Sequence, residues 1–468
     1  MPERDLSTFG LVGLGVMGRN FILNVADKGF TALGYDLDPE KAAALEKEGA
    51  ASGRVRATDN LEAFVGGLER PRRIMLLVPA GKPVDAVIDA LLPHLEAGDI
   101  IVDGGNSFYK DTDRREAFLK EKGIHFFGAG VSGGAEGARR GPSIMPGGSR
   151  EAYAHLKPIF EAVAARYQNE PCVAYLGPKS AGNYVKMVHN GIEYALMQAI
   201  AETYDLLKHL GGLDNAQLAA TFSRWNEGRL QSFLVEITSH IFRQPDPLGS
   251  GALVDRILDK AKQKGTGKWT SQNAMDLGIP VPSLDISVSM RQISALKPIR
   301  EKAEGMYPKP ALPAADLQWV EAAEATLYFT FITAYAQGMH LLSEASKAYG
   351  YELELGEIAK IWRAGCIIRA ALLADITGAY QARPELDNLL LDPGFAEKVR
   401  PALEPTRRLV SAGIQHGIAI PTLAGSLSYF DAMSSGRLPL NLVQAQRDYF
   451  GAHTYERTDR EGTFHTEW

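Results

Sequence analysis

The stretch Thr8–Gly18, TFGLVGLGVMG, decides the fold of the N-terminal third. Phe9 to Val12 is a short apolar run of strand type. Gly13-x-Gly15-x-x-Gly18 follows it directly and opens a helical pattern that runs on through MGRNFILNVADKG. In a Gly-rich chain the spacing alone says little, but after a strand and at the start of a helix it marks a dinucleotide-binding turn. Gly13 permits the tight turn, Gly15 lets a pyrophosphate approach the backbone, and Gly18 lets helix and strand pack closely. The helix N-terminus then offers free N–H groups to phosphate. Val16 and Met17 lie inside the same turn and are counted with its cofactor-binding residues.

Outward from that turn, FTALGY reads as a second strand, and Asp36 stands just past its apolar part in GYDLDPE. A carboxylate there grips the adenosine ribose hydroxyls and repels a 2′-phosphate, and no Arg stands in the segment to receive one. NAD is therefore expected as cofactor, with NADP the alternative. Asp38 before Pro39 fits an N-cap instead. RIMLLV, DIIVDGG and IHFFGAGV continue as strands, with PEKAAALEKEG, DAVIDALLPHL and DRREAFLKEKG as the helices between them. CVAYLG is expected to be the last strand, near residue 176. Such alternation implies βαβ units and a parallel sheet, an α/β Rossmann-type domain over residues 1–177.

After Pro178 the pattern turns helical. PKSAGNYVKMVHNGIEYALMQAIAETYDLLKHL is one long helical stretch ended by Gly211-Gly212, and helical periodicity persists to about residue 432. LAATFSRWNEGRLQSFLVEIT and IAKIWRAGCIIRAALLADIT echo one another, Trp225 and Gly228 matching Trp362 and Gly365. A duplicated helical unit within a large all-α domain, residues 178–435, is expected. Residues 436–468 form a polar, aromatic C-terminal tail, expected to dock against something rather than to hang free.

A chain of 468 residues with 45% hydrophobic and 23% charged residues is of globular type and long enough for two or three domains. A net charge of -6 argues against nucleic-acid or membrane-surface partners. Cys172 and Cys366 form neither a disulfide framework nor a zinc spacing. The charged N-terminus MPERDLSTFG lacks a signal-peptide core, and no apolar run is long enough to span a bilayer. A cytoplasmic location is expected.

Within the first long helix, KMVHNGIEYALMQ (186–198) places Lys186, His189, Asn190 and Glu193 on one face. Tyr194 borders that face, and Gly191 reduces bulk beside it. Val185, Met187, Val188, Ile192, Ala195, Leu196 and Met197 clothe the rest. A polar stripe in an apolar sleeve needs partners, so a ligand site is expected there.

GLGVMGRN, DGGNS, GVSGGAEGARRGPSIMPGG, VKMVHNGIEY, QKGTGKWT and QAQRDYFGAHTYE together resemble the 6-phosphogluconate dehydrogenase family over essentially the whole chain. The resemblance implies oxidative decarboxylation of 6-phosphogluconate to ribulose 5-phosphate, with Lys186 as general base and Glu193 as general acid. It places Asn106 against substrate and nicotinamide, with His189 and Asn190 beside it. Ser132, Gly133 and Gly134 face the sugar carboxylate, and Tyr194, Lys264, Thr266 and Arg291 the phosphate. Arg447 and His453 arrive from the neighbouring subunit, which implies a homodimer. QKGTGKWT lacks the leading Gly of a Walker loop, so no ATP site is expected.

Three departures from the family pattern stand out. Asp36-Leu37-Asp38 replaces an NRT-like segment, and Val78-Pro79-Ala80-Gly81 replaces VKAG; both remove groups that favour NADP, and Val78 is retained as a cofactor-binding residue. EYALMQ replaces EYGDMQ, removing a carboxylate beyond Glu193. No acidic cluster near the reaction helix implies a metal, since the Lys186 ammonium can take over the role of a divalent ion. Two rivals share parts of this pattern. One is a non-decarboxylating β-hydroxyacid dehydrogenase, which has no need of Lys264, Arg291 or Arg447; the other is a catalytically silent nucleotide-binding protein.

Overall fold

The computed structural model describes residues 6–468, so the first five positions of the expected N-terminal domain and of the charged N-terminus lie outside it. Seven strands form one sheet: β1 (Phe9–Val12), β2 (Ala32–Tyr35), β3 (Val55–Thr58), β4 (Arg73–Leu76), β5 (Ile100–Asp103), β6 (His125–Ser132) and β7 (Ser143–Gly148). Their order is β3-β2-β1-β4-β5-β6-β7, parallel from β3 to β6. The strand order reverses between β1 and β4, so their carboxyl ends flank the crevice where such sheets bind ligands.

Two strands differ from the sequence reading. β3, VRAT, is a four-residue edge strand with only Val55 buried, so it carries no apolar run to read. CVAYLG is not a strand. It makes one bridge, Val173 to Ile144, and the sheet's last strand is the Pro- and Gly-containing SIMPGG. β7 runs antiparallel to β6, pairing Ser143 with Ser132 and Gly148 with Phe127, and all six of its residues are buried. Complete burial between β6 and the helical domain removes the polar alternation by which an edge strand is recognised.

Beyond the sheet the chain is helical. The first long helix, Ala181–His209, packs against the second, Trp319–Tyr349. Each echoed segment is a pair of shorter helices after a long one: Asn215–Trp225 with Phe233–Arg243, and Leu355–Ile361 with Leu372–Ala382. The loops inside the two pairs bond to each other. Phe233 N donates to Arg369 O at 3.0 Å and Ala371 N to Gln231 O at 2.9 Å. Among the described residues no helix is long and apolar enough to cross a membrane.

The N-terminal domain shares its core with the helical one, since Tyr109 and Met145 belong to the same buried cluster as the two long helices. At this junction Asn273 gathers three tyrosines. Its amide donates to Tyr109 Oη at 2.9 Å and Tyr349 Oη at 2.6 Å, and its carbonyl accepts from Tyr184 Oη. Asn273→Ala leaves these buried hydroxyls short of partners and is expected to cost about 2–4 kcal/mol. Denaturant unfolding reads this directly, and a loss below about 1 kcal/mol would remove the cluster from the account of stability.

The tail folds largely on itself. The helix Leu440–Gly451 is followed by a small ladder of Tyr455–Glu456 against Thr463–Phe464. Asp448, enclosed by the tail, accepts from His465 Nδ1 at 2.8 Å, Thr454 N at 2.9 Å, and Thr466 N and Trp468 Nε1 at 3.0 Å. Leu442, Tyr449 and Phe450 on the same helix are 61%, 70% and 73% exposed.

Candidate active site

At the carboxyl end of β1 the Gly-rich turn has the expected geometry. Gly13 sits at φ +96°, and a Cβ on Gly18 would strike Gly13 O, so only glycine lets the helix Val16–Asp27 lie this close to the strand. A Cβ on Gly15 would meet nothing within 4 Å, so the backbone there faces open space. Val16 and Gly15 are exposed and Met17 is half-buried against the core of the sheet. Asp36 anchors the turn as well as facing it: Leu14 N donates to Oδ2 at 2.8 Å and Asp38 N to Oδ1 at 3.0 Å. Lys41 Nζ lies 3.5 Å from the same carboxylate. A mainly apolar cleft of about 320 Å³ opens between Gly13, Asp36, Leu37, Leu61, Val78 and Val87. Flat apolar walls ending in a carboxylate suit an adenosine.

The first long helix docks onto the carboxyl half of β6 through glycines. A Cβ on Gly182 would strike Gly128 O, and one on Gly130 would strike the Lys186 side chain. This contact lays the Lys186 stem against the strand and leaves the residue 5% exposed. The polar stripe is a connected group. Lys186 Nζ is 3.4 Å from His189 Nδ1, which is 3.0 Å from Asn190 Oδ1 and 3.9 Å from Glu193 Oε2. His189 Nε2 is 3.4 Å from Ser132 Oγ at the end of β6, and Asn190 Nδ2 donates to Thr266 Oγ1 at 3.2 Å.

Burial sets the protonation of this group. It drives the Lys186 amine down from its ordinary value against the upward pull of Glu193. It raises the Glu193 carboxyl, opposed by Lys186 and Arg291. His189 is pushed well down by burial and by the neighbouring amine, so the ring is neutral at ordinary pH. A buried amine inclined to be neutral beside a carboxyl inclined to keep its proton is a base and an acid for proton transfer.

The remaining expected residues divide. Arg291 stacks on the Tyr194 ring, 3.6 Å from its centroid, and donates to Lys262 O at 2.9 Å. Thr266 is buried at the start of the helix Thr266–Leu277, while Lys264 is exposed. Gly133, at φ +112°, opens the short helix Gly134–Arg140 after Ser132, and Gly134 is exposed. Asn106 is exposed at the end of β5. Arg447 and His453 are not joined to the group: both are exposed, Arg447 bonding among the described residues to Gln444 alone and His453 packing on Phe450. Ala195 and Leu196, where the family pattern has Gly-Asp, are fully buried in the helical core.

Two residues not expected at the site complete the surroundings. Asn183, three positions before Lys186 on the same helix, donates to Gly105 O at 3.3 Å and accepts from Thr112 Oγ1 at 2.9 Å, fixing the turn that carries Asn106. Its place one turn ahead of the polar stripe was the available signal. Trp362, fully buried, meets the His189 ring edge-on at 5.5 Å, a contact that no local pattern encodes. Among the described residues no three His, Cys, Asp or Glu side chains come together as a metal-holding group.

A Gly-rich nucleotide turn at one carboxyl edge of the sheet, together with a buried amine and a half-buried carboxyl on one helix face, defines the class, a pyridine-nucleotide dehydrogenase, and comparison with known proteins narrows it. Residues 8–177 match the family described as the NAD binding domain of 6-phosphogluconate dehydrogenase, and residues 182–468 its C-terminal domain. The decarboxylating 6-phosphogluconate dehydrogenase of Lactococcus lactis subsp. lactis (strain IL1403) is 51% identical, covering 99% of this chain and 98% of that one. The enzyme of Bacillus subtilis (strain 168) named NADP(+)-dependent is also 51% identical, over 98% of each chain. The structure of Plasmodium falciparum 6-phosphogluconate dehydrogenase, described apo and with NADP+ or 6-phosphogluconate, superposes with TM-score 0.95 at 46% identity, covering 98% of this chain and 100% of that one. The chain belongs to the decarboxylating 6-phosphogluconate dehydrogenase family.

Proposed function

We propose that this chain oxidises 6-phospho-D-gluconate to D-ribulose 5-phosphate and carbon dioxide, in the cytoplasm, within the pentose phosphate pathway, with NAD as the preferred acceptor. The observation that carries the reading is the buried Lys186–His189–Glu193 group on one helix face, with Ser132 at one end and Asn190–Thr266 at the other. The bound nicotinamide supplies the hydride acceptor. Lys186, neutral, takes the proton of the carbon 3 hydroxyl as hydride leaves that carbon. The resulting ammonium then donates to the carbonyl oxygen while the carbon–carbon bond to the carboxylate breaks. Glu193 delivers a proton to carbon 1 of the enediol while the Lys186 amine takes back the enol proton, which leaves the ketone, an ionised Glu193 and an ammonium.

Binding roles follow the same geometry. Gly13, Gly15, Val16, Met17, Gly18, Asp36, Val78 and Asn106 hold the nucleotide. Asn106, Ser132, Gly133, Gly134, His189 and Asn190 orient the sugar acid. Tyr194, Lys264, Thr266 and Arg291 meet the phosphate, with Arg447 and His453 supplied by the tail of a second copy in a homodimer. The exposed Leu442, Tyr449 and Phe450 side chains on the tail helix support that exchange. Three units are proposed: residues 1–177 for the nucleotide, 178–435 for substrate and pairing, and 436–468 for the neighbouring site.

NAD preference rests on the Asp36 carboxylate at the ribose end of the cleft. The second reading, NADP use, is favoured by the name of the Bacillus subtilis relative and by Lys41, a cation 3.5 Å from Asp36. Side-by-side assays with NAD and NADP, following carbon dioxide release, decide between them. Asp36→Asn is expected to raise the NADP-to-NAD ratio of kcat/KM by about tenfold or more, because it removes a like charge facing the extra phosphate. A wild-type enzyme that already prefers NADP strongly would end the role given to Asp36.

A further inference from the structure

Arg115, on the helix Tyr109–Lys120, is 2% exposed although it carries a full charge. Its Nε donates to Asp85 Oδ1 at 2.8 Å and its Nη2 to Asp85 Oδ2 at 3.2 Å, a two-pronged pair. The same Nη2 donates to Gly81 O at 3.0 Å, and Nη1 lies 3.5 Å from Asp103 Oδ2. These partners belong to two different turns at the carboxyl edge of the sheet. Gly81, at φ +87°, closes the turn that leaves β4 through Val78, and Asp85 stands in the first turn of the next helix, Lys82–Leu91. Asp103 ends β5, and its Oδ1 accepts from Gly105 N at 3.0 Å, shaping the turn that displays Asn106. One guanidinium thus bridges the two turns.

Three features make this more than ordinary packing. Asp103 is fully buried, and a buried carboxylate needs a cation or a set of donors. The planar fork reaches a carboxylate, a carbonyl and a second carboxylate at once, which a lysine ammonium on one flexible stem cannot reproduce. Arg115 also does not line the cleft, so it contributes by holding the turns. We propose that Arg115 is a positioning residue that sets the spacing between the Val78–Gly81 and Asp103–Asn106 turns, and with it the fit of the pyridine nucleotide. The inference rests on the reading of Val78 and Asn106 as nucleotide-facing residues.

Calorimetric binding to the whole, substrate-free protein tests it. In Arg115→Lys the dissociation constant for the nucleotide is expected to rise about tenfold, the scale of losing one well-placed polar contact. That for 6-phosphogluconate alone is expected to rise less, by no more than about threefold, because Asn106 is the one substrate-facing residue on these two turns, with an unchanged circular dichroism spectrum. A nucleotide constant within about twofold of wild type overturns the proposal, and so does an equal loss of both ligands with a lowered Tm, which is what a merely structural role produces. Should Arg115→Lys fail to fold, Asp85→Asn keeps the guanidinium and weakens its clamp; a rise of about threefold supports the role and none overturns it. Asn106→Ala separates the layers. No effect on nucleotide binding from that variant defeats the reading of the turn itself, whereas an effect there with none from Arg115→Lys defeats the role of Arg115 alone.

Discussion

Lys186→Met is expected to lower kcat by about 10³-fold or more while 6-phosphogluconate still binds, the scale of losing a positioned general base. Methionine matches the length of the lysine stem and fits the same channel against Gly130, so the substitution removes the amine without opening a large cavity. The same variant should be more stable than wild type at neutral pH. Burial holds the folded-state amine below its ordinary value, so the unfolded chain binds more protons over the interval between the folded and unfolded values. Wild type therefore carries a penalty that is full below the folded value and disappears as pH rises to about 10.4, where the unfolded amine titrates. Stopped-flow and steady-state assays read the first effect, and Tm measured across pH reads the second. Near-normal turnover would take the base role from Lys186, and a Tm gain that grew with pH would contradict the direction of its titration.

The second large effect concerns the tail. Lys186→Met and Arg447→Ala are each expected to be almost inactive as purified homodimers. Unfolded together and refolded at equal amounts, they should recover about a quarter of wild-type activity. Half of the random dimers are mixed, and one of the two sites in each combines an intact Lys186 body with an intact Arg447 tail. No recovery would mean that each tail serves its own body. Within one chain Arg447 is exposed and bonds, among the described residues, to Gln444 alone. Dilution below the dimer dissociation constant should likewise lower activity per chain.

Much of this molecule was legible in its residues. Gly13, Gly15 and Gly18 announced the nucleotide turn because each glycine answers a separate steric demand, and the two nearest contacts, at Gly13 and Gly18, are those a Cβ would violate. The stripe from Lys186 to Glu193 was legible because helical periodicity is local. β3 and β7 were not. One is an edge strand with a single buried side chain, and the other is a buried Pro-Gly hexamer whose pairing is decided by β6 and the helix above it. Asn183, Trp362 and Arg115 escaped for the same reason: each acts through partners distant in sequence, at Gly105, His189, and the pair Gly81 and Asp103. Residue type and local spacing carry no record of such meetings.

The glycine seam between β6 and the first long helix has a mechanical corollary. With Gly182 seated on Gly128, Gly130 receiving the Lys186 stem and Asn183 pinned to Gly105, the amine and the hydride acceptor's cradle ride on a single chassis. Jaws that open about a waist would have to tear this seam, whereas a path along its lip leaves it whole.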